Sequence, residues 1–128
     1  MEALSRGANK VISIEKNYEA FKSLQKNTKL IDYDNITLIN KDALKFLSFN
    51  SDTKFDFVFL DPPFNHDLVS KALKLLSKGK YINSGSKIYI ESEYKIIEKE
   101  ISSIFSKEIN IIRQKKSGQV HYCLVKII

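Results

Sequence analysis

One short segment carries the clearest chemical signal in the sequence. Asp61, Pro62, Pro63 and Phe64 directly follow the apolar run Phe55–Leu60, so they end a predicted buried strand. Two consecutive prolines remove two backbone donors and fix two φ angles, and the proline after Asp61 holds that residue extended. The Asp61 carboxylate and the Pro62 carbonyl are then acceptors without competing N–H groups. Phe64 offers a ring on which a flat base can stack.

This arrangement suits the methylation of an exocyclic amino group on a nucleobase. Such a nitrogen is a weak nucleophile because its lone pair is delocalised into the ring, and it becomes cationic as the methyl group arrives. Acceptors aimed at its hydrogens orient the lone pair and stabilise the developing charge. The segment therefore predicts an amino-methyltransferase, with an ordinary Pro-Pro turn as the alternative.

Two other predicted strands also end near acidic residues. Glu15 directly follows Val11–Ile14 and precedes Lys16, and an acid there can accept hydrogen bonds from ribose hydroxyls. Asp42 and Ala43 lie just beyond the second strand. Asp42 could accept from an adenine amino group, and it could also cap a helix that begins at Ala43. The two roles of Asp42 can coexist, whereas a solvated loop acid is the alternative for Glu15.

Five apolar runs predict the strands that position these residues. They are Val11–Ile14, Ile36–Ile39, Phe55–Leu60, 87–90 and 120–128, with turn-forming residues at 32–35 and 83–86 before the second and fourth. Segments of helical period separate the first four runs. This alternation predicts an α/β fold with a mostly parallel sheet. The third run is continuously apolar from Phe57 to Leu60, as expected for a strand covered on both faces.

The last part of the sequence predicts an antiparallel hairpin. Two strand-like runs, 108–112 and 120–128, flank the polar stretch 113–119, which contains Gly118. The predicted order of elements is therefore β-α-β-α-β-α-β-α-β-β.

Basic residues suggest a polyanionic partner. Lys and Arg outnumber Asp and Glu by 21 to 15, for a net charge of +6, which is compatible with RNA or DNA. Arg113, Lys115 and Lys116 in the predicted hairpin could contact RNA phosphates. The alternatives are an ordinary solvated turn there and lysines scattered over solvated helix surfaces elsewhere.

Length and composition exclude several classes of protein. The 128 residues, 43% of them hydrophobic, predict one globular domain. The single cysteine, Cys123, has no partner for an intrachain disulfide, and neither a signal peptide nor a membrane-length apolar run is present, so a cytoplasmic protein is expected. His66 and His121 lie at no metal-ligand spacing, so no metal site is expected.

The chain resembles the RsmD family of bacterial 16S ribosomal RNA guanine-N2 methyltransferases over nearly its whole length. The resemblance rests on four segments: EALSRGA at 2–8, FVFLDPPF at 57–64, IYIESE at 88–93 and GQVHY at 118–122. It implies a Rossmann-like class I fold, S-adenosylmethionine as methyl donor, and a monomer that acts on 16S ribosomal RNA or the small ribosomal subunit. The modified base would be a flipped-out guanine of the guanine-966 type.

The resemblance also implies roles for single residues. Glu15 and Lys16 would lie at the cofactor ribose, and Asp42 and Ala43 at its adenine. The segment 61–64 would bind the target amine and stack on the base.

One part of the family pattern is not found in the 128 residues. Family members carry a strand and a glycine-rich loop of the type F-A-G-S-G before the segment that resembles 2–8. That strand would lie at the centre of the sheet, between the strands that end at Glu15 and Asp61. Either Met1 is an internal methionine of a longer gene, which we favour, or the chain is a fragment. We expect the 128 residues alone to bind S-adenosylmethionine weakly and to methylate poorly; micromolar binding in a calorimetric titration would contradict this.

Other functions stay open at this point. A DNA adenine-N6 or other nucleic-acid amino-methyltransferase uses a similar motif, and a non-catalytic fragment or RNA-binding module would not need the glycine-rich loop. A dinucleotide-dependent dehydrogenase is disfavoured because the sequence holds no G-x-G-x-x-G segment.

Overall fold

The computed structural model describes residues 10–31, 36–61 and 68–128. Strands and helices alternate in the predicted order and confirm the α/β class. The strands are β1 (Val11–Ile14), β2 (Ile36–Ile39), β3 (Phe55–Leu60), β4 (Ile82–Ser92), β5 (Ile109–Ser117) and β6 (Val120–Ile127), and the helices are α1 (Tyr18–Ile31), α2 (Ala43–Leu47), α3 (Leu68–Lys78) and α4 (Glu98–Phe105). The segment at 2–8 and the turn at 32–35 lie outside the described residues.

The chain divides into two compact units, and the first is Met1–Phe46. In it, β1 and β2 pair in parallel, with Ile14 opposite Ile39. Helix α1 is capped by Asn17, whose Oδ1 accepts a hydrogen bond from the Ala20 N–H at 2.9 Å. Two short parallel strands, each followed by a helix, thus bring the ends of β1 and β2 side by side.

The second unit, Leu47–Ile128, holds a four-stranded sheet in the order β3-β4-β6-β5. β3 is parallel to β4, whereas β6 is antiparallel to both β4 and β5, which confirms the predicted hairpin. Helix α3 contacts β4, and helix α4 contacts both α3 and β5. The core of this unit includes Val69, Leu73 and Leu76 of α3, Ile88 and Ile90 of β4, and Cys123, Val125 and Ile127 of β6.

Strand β4 is longer than predicted. The turn-forming residues at 83–86 do not precede the strand but form an irregularity within it, because the pairing with β3 jumps from Phe55 opposite Ile82 to Phe57 opposite Lys87. Ser86 is buried in this bulge, and its Oγ donates a hydrogen bond to the Phe55 carbonyl at 2.7 Å. The serine therefore replaces a ladder hydrogen bond where the two strands fall out of step.

The hairpin turn is shorter than predicted. The stretch 113–119 is mostly strand, since β5 continues to Ser117, which pairs with Val120. The turn consists of Gly118 and Gln119, and Gly118 has a φ of 59°. A glycine with positive φ at the first position of a two-residue turn matches the twist of an antiparallel hairpin. Arg113, Lys115 and Lys116 accordingly lie on β5 and not in a turn.

Strand β3 lies at one end of its sheet. Within the described residues β3 pairs with β4 alone, and β1 pairs with β2 alone. Phe57 and Phe59 are 41% and 67% exposed, so the predicted cover on both faces of β3 is not provided by the described residues. Their side chains lie on the sheet face opposite the core. No helix in the described ranges is long and apolar enough to cross a membrane.

Candidate functional site

The ends of β1 and β2 bring two of the predicted acidic residues together. Glu15 continues the ladder beyond β1, because its N–H donates to the Ile39 carbonyl at 2.9 Å. Its carboxylate accepts a hydrogen bond from the Asn17 N–H at 3.0 Å, and the Asn40 amide donates to the Glu15 carbonyl at 2.9 Å. These contacts fix the backbone and one carboxylate oxygen of Glu15 at the carboxyl edge of the strand pair.

Asp42 caps helix α2, which confirms the capping role expected from the sequence. Its Oδ1 accepts a hydrogen bond from the Leu44 N–H at 2.8 Å, and its Oδ2 lies 3.4 Å from the Lys16 Nζ. The Leu44 N–H, with smaller contributions from the Lys45 N–H and Lys16, holds the pKa of Asp42 below its ordinary value. Asp42 therefore stays ionised at neutral pH as a fixed hydrogen-bond acceptor, and Ala43 begins the helix beside it.

The chemistry of these groups fits a nucleoside. Glu15 and Asp42 are carboxylates, which accept hydrogen bonds from hydroxyl and amino groups, and they follow neighbouring parallel strands. Lys16 is 78% exposed, and the contact that the structure gives its side chain is an ion pair with the Asp42 carboxylate. The ribose and adenine of S-adenosylmethionine present the hydroxyl and amino donors that such acceptors bind.

A second pair of carboxyl groups lies at the ends of β3 and β4. Because Leu60 pairs with Ile90 in parallel register, Asp61, just beyond β3, and Glu91, near the end of β4, lie at the same level and within hydrogen-bonding reach of each other. The Tyr89 hydroxyl donates a hydrogen bond to Glu91 Oε1 at 3.1 Å. Burial, together with the Asp61 charge, raises the pKa of Glu91 above its ordinary value. Asp61 is thus one member of a closely spaced acidic pair.

Aromatic rings continue from this pair across the same sheet face. We call Phe57, Phe59, Tyr89 and Tyr122 the aromatic row. Ring centroids are 4.6 Å apart between Phe57 and Phe59, 6.1 Å between Phe59 and Tyr89, and 6.4 Å between Tyr89 and Tyr122. Burial, with a contribution from Glu91, raises the pKa of Tyr89 to about 12, so this hydroxyl keeps its proton at neutral pH.

The three basic residues of the hairpin separate onto two faces. Arg113 pairs with Leu124 and Lys115 with Tyr122, which places both on the face of the aromatic row. Lys116 is the next residue after Lys115, so its side chain points to the opposite face. Arg113 and Lys115, but not Lys116, therefore lie on the sheet face that carries the acidic pair.

Pro62, Pro63 and Phe64 lie outside the described residues, as does His66. Tyr89 and a role for Glu91 were not predicted from the sequence, although both residues lie within the segment IYIESE. Their alternation with buried isoleucines was a signal that they share one face, but their partners depend on the register between β3 and β4.

Known proteins match the chain over nearly its whole length. A family model described as "Conserved hypothetical protein 95" matches residues 1–126. A Buchnera aphidicola protein named ribosomal RNA small subunit methyltransferase D is 32% identical over 120 residues, which cover 94% of this chain and 60% of the relative. The Haemophilus influenzae protein of the same name is 32% identical over 126 residues, which cover 96% and 63%. The chain therefore spans about three fifths of the length of these relatives.

Solved structures give the same fold. A Haemophilus influenzae protein superposes with a TM-score of 0.86 and 31% identity, over 99% of this chain and 71% of that one. An Escherichia coli protein superposes with a TM-score of 0.87 and 30% identity, over 98% and 67%. Their descriptions name a methylase and a methyltransferase, respectively. The fold is that of the class I methyltransferases.

Proposed function

We propose that this chain, which belongs to the RsmD family described as Conserved hypothetical protein 95, takes part in S-adenosylmethionine-dependent methylation of ribosomal RNA. The acceptor is the exocyclic N2 amino group of a guanine in 16S ribosomal RNA, and the enzyme works as a monomer in the cytoplasm on that RNA or on the small ribosomal subunit. Both compact units belong to one methyltransferase domain.

The observation that carries the proposal is the acidic pair at the end of β3. An amine that accepts a methyl group becomes cationic, and a fixed carboxylate stabilises that charge most where it develops. Asp61 stands at the carboxyl edge of parallel strands, the usual location of ligands in open α/β sheets, and the Tyr89–Glu91 hydrogen bond braces its neighbour. Pro62, Pro63 and Phe64 complete the proposed amine and base contacts.

The first unit supplies the proposed contacts to the methyl donor. Glu15 accepts from the ribose hydroxyls and Asp42 from the adenine amino group, with Lys16 and Ala43 beside them. S-adenosylmethionine, when bound, supplies the electrophilic methyl group. The residues of the chain orient the nucleoside and the amine and accept their hydrogens.

Transfer of a labelled methyl group to isolated RNA tests the proposed activity. The protein expressed from its complete reading frame is incubated with labelled S-adenosylmethionine and small-subunit ribosomal RNA, small subunits, or DNA in parallel. We expect label in N2-methylguanine of the RNA or the subunits. Label in N6-methyladenine of DNA would instead support the DNA enzyme, and RNA binding without label would support a non-catalytic module.

The face that carries the aromatic row is expected to contribute to RNA binding. Replacing Arg113 and Lys115 together by glutamine removes two exposed cations from this face. The affinity for ribosomal RNA should fall, and the slope of log affinity against log salt should become shallower by roughly one to two units, because fewer counterions are released. Filter binding across a salt series measures both quantities.

Two control variants separate this effect from net charge. Replacing Lys71 and Lys74, exposed on α3, by glutamine removes the same charge elsewhere, and Lys116→Gln removes a cation from the other sheet face. Equal losses in all three variants would contradict a face-specific contact.

A further inference from the structure

Asp61 lies beside a second carboxyl group, that of Glu91, which is thirty positions further along the chain. Phe59 pairs with Tyr89 and Leu60 with Ile90, so Asp61 and Glu91 follow at the same level and on the same face. Their side chains lie within hydrogen-bonding reach. Glu91 is held in turn by the Tyr89 hydroxyl at 3.1 Å. Asp61 and Glu91 therefore form a pair of carboxyl groups in which Glu91 is held in position by a hydrogen bond from Tyr89.

The groups around Glu91 favour the uptake of one proton by this pair. Asp61 faces it from β3, Tyr89 from its own strand, and Tyr122 from β6, where it pairs directly with Glu91. Lys115 on β5 is the next residue in the same register. Asp61 adds negative charge, and burial raises the pKa of Tyr89, so that hydroxyl keeps its proton at physiological pH. Two adjacent carboxylates repel each other, and one shared proton relieves that repulsion.

Methylation of an amine needs a proton acceptor. The nitrogen lone pair forms the new N–C bond, and the C–S bond of the donor breaks with its electrons on sulfur. The nitrogen then carries a positive charge until one of its N–H bonds breaks and the proton leaves. A lone carboxylate can orient this hydrogen, and a pair can also share the proton after its transfer.

We propose that Glu91 is a positioning residue for Asp61, and that the two carboxyl groups together receive the proton that the amine loses on methylation. The inference rests on the proposed function. After methyl transfer but before proton transfer, the pair carries two negative charges beside the cationic amine. Once the proton has moved, the pair carries one negative charge and one shared proton. The proton then passes to water.

The stability of a Glu91→Gln variant tests the pair without any activity measurement. In the native protein the pKa of Glu91 is raised above its ordinary value of 4.5. The contribution of Glu91 to stability is therefore full below that ordinary value and is lost as the pH rises through the raised pKa. Glutamine removes this loss and still accepts the Tyr89 hydrogen bond. Its Tm should exceed that of the unmodified protein at neutral pH, and the difference should vanish near about pH 4.

Glu93→Gln is the matched control for this measurement. Glu93 is exposed two residues beyond Glu91, and its replacement should leave the Tm unchanged both at neutral pH and near about pH 4.

A carboxyl ¹³C titration tests the pairing directly. In this titration, Asp61→Asn should move the Glu91 transition to lower pH. A Glu91 transition that does not respond to Asp61→Asn would overturn the pair.

The pH dependence of the rate tests the role in proton uptake. Glu91→Gln should lower kcat by about tenfold with little change in KM, and it should move the acid limb of the kcat profile to lower pH, because the carboxyl group with the raised pKa is removed. Glu91→Asp should restore part of the rate and of the pH profile. An unchanged kcat profile, or a loss confined to KM, would overturn the proposal.

The two kinds of measurement also separate this inference from the function on which it rests. Coupled titration without methyl transfer to any nucleic acid would support the pair and overturn the proposed function. Methyl transfer with independent titration of the two carboxyl groups would support the function and overturn the pair.

Discussion

Replacing Asp61 by asparagine is expected to slow methyl transfer to ribosomal RNA by roughly 10²–10³-fold, the usual cost of losing one fixed electrostatic partner of a transition state. Asparagine keeps the size of the side chain and one acceptor oxygen, but it loses the negative charge that stabilises the cationic amine. Initial rates with labelled S-adenosylmethionine, at saturating donor, measure the effect. The fold should persist, because Asp61 is exposed and its charge repels Glu91.

Asp56→Asn provides a matched control for this replacement. Asp56 lies on the same strand, is also exposed and carries the same charge, so its replacement should leave the rate within about twofold, as for other surface positions. An Asp61→Asn protein that keeps a third or more of the original rate would show that another group binds the amine.

Replacing Ile90 by alanine is expected to lower the free energy of unfolding of the second unit by about 2–5 kcal/mol. Ile90 is 0% exposed, and it pairs with Leu60 on one side and Cys123 on the other. The substitution removes buried apolar surface and leaves a cavity in a densely packed core. Denaturant unfolding followed by far-ultraviolet circular dichroism gives the difference.

Ile112→Ala is the control for this experiment. Ile112 lies on β5 of the same sheet but is 46% exposed, so the same chemical change should cost only about 0.5 kcal/mol or less. Equal costs at the two positions would contradict the burial of Ile90. The Ile90→Ala protein should also lose activity, since Ile90 lies between Tyr89 and Glu91.

The bounds of the first three strands could be predicted because polar residues delimit each apolar run. Val11–Ile14 is followed by Glu15, Ile36–Ile39 by Asn40, and Phe55–Leu60 by Asp61. A short β-branched or aromatic run with a polar residue at its end allows little choice of strand length. The location of Asp61 at a strand end followed directly.

The length of β4 could not be predicted, because local composition there opposes the observed structure. Asn83, Ser84 and Gly85 are turn-forming residues, yet they lie inside the strand as a bulge. What holds them is tertiary: the Ser86 Oγ donates to the Phe55 carbonyl, on a strand more than thirty residues away in sequence. Polar β5 residues such as Lys115 likewise become strand because β6 pairs with them.

The acidic pair depends on this bulge and could not be read from sequence for the same reason. The jump in register between β3 and β4 decides which residue stands beside Asp61. Side chains alternate between faces, so a register one residue different would bring Ile90 or Ser92 there, and neither can share a proton with Asp61. Asp61 could therefore be predicted from the sequence, whereas its partner Glu91 follows only from the pairing of β3 with β4.

The position of Cys123 gives the second unit a built-in kinetic reporter. This thiol is the only one in the sequence, it is 1% exposed on β6 between β4 and β5, and burial raises its pKa to about 11. Thiolates rather than thiols react with alkylating reagents, so the native state should be almost inert. The rate at which an alkylating reagent labels Cys123 therefore depends on opening of the sheet. At high reagent concentration the labelling rate reaches a limit, and that limit equals the rate at which the sheet opens.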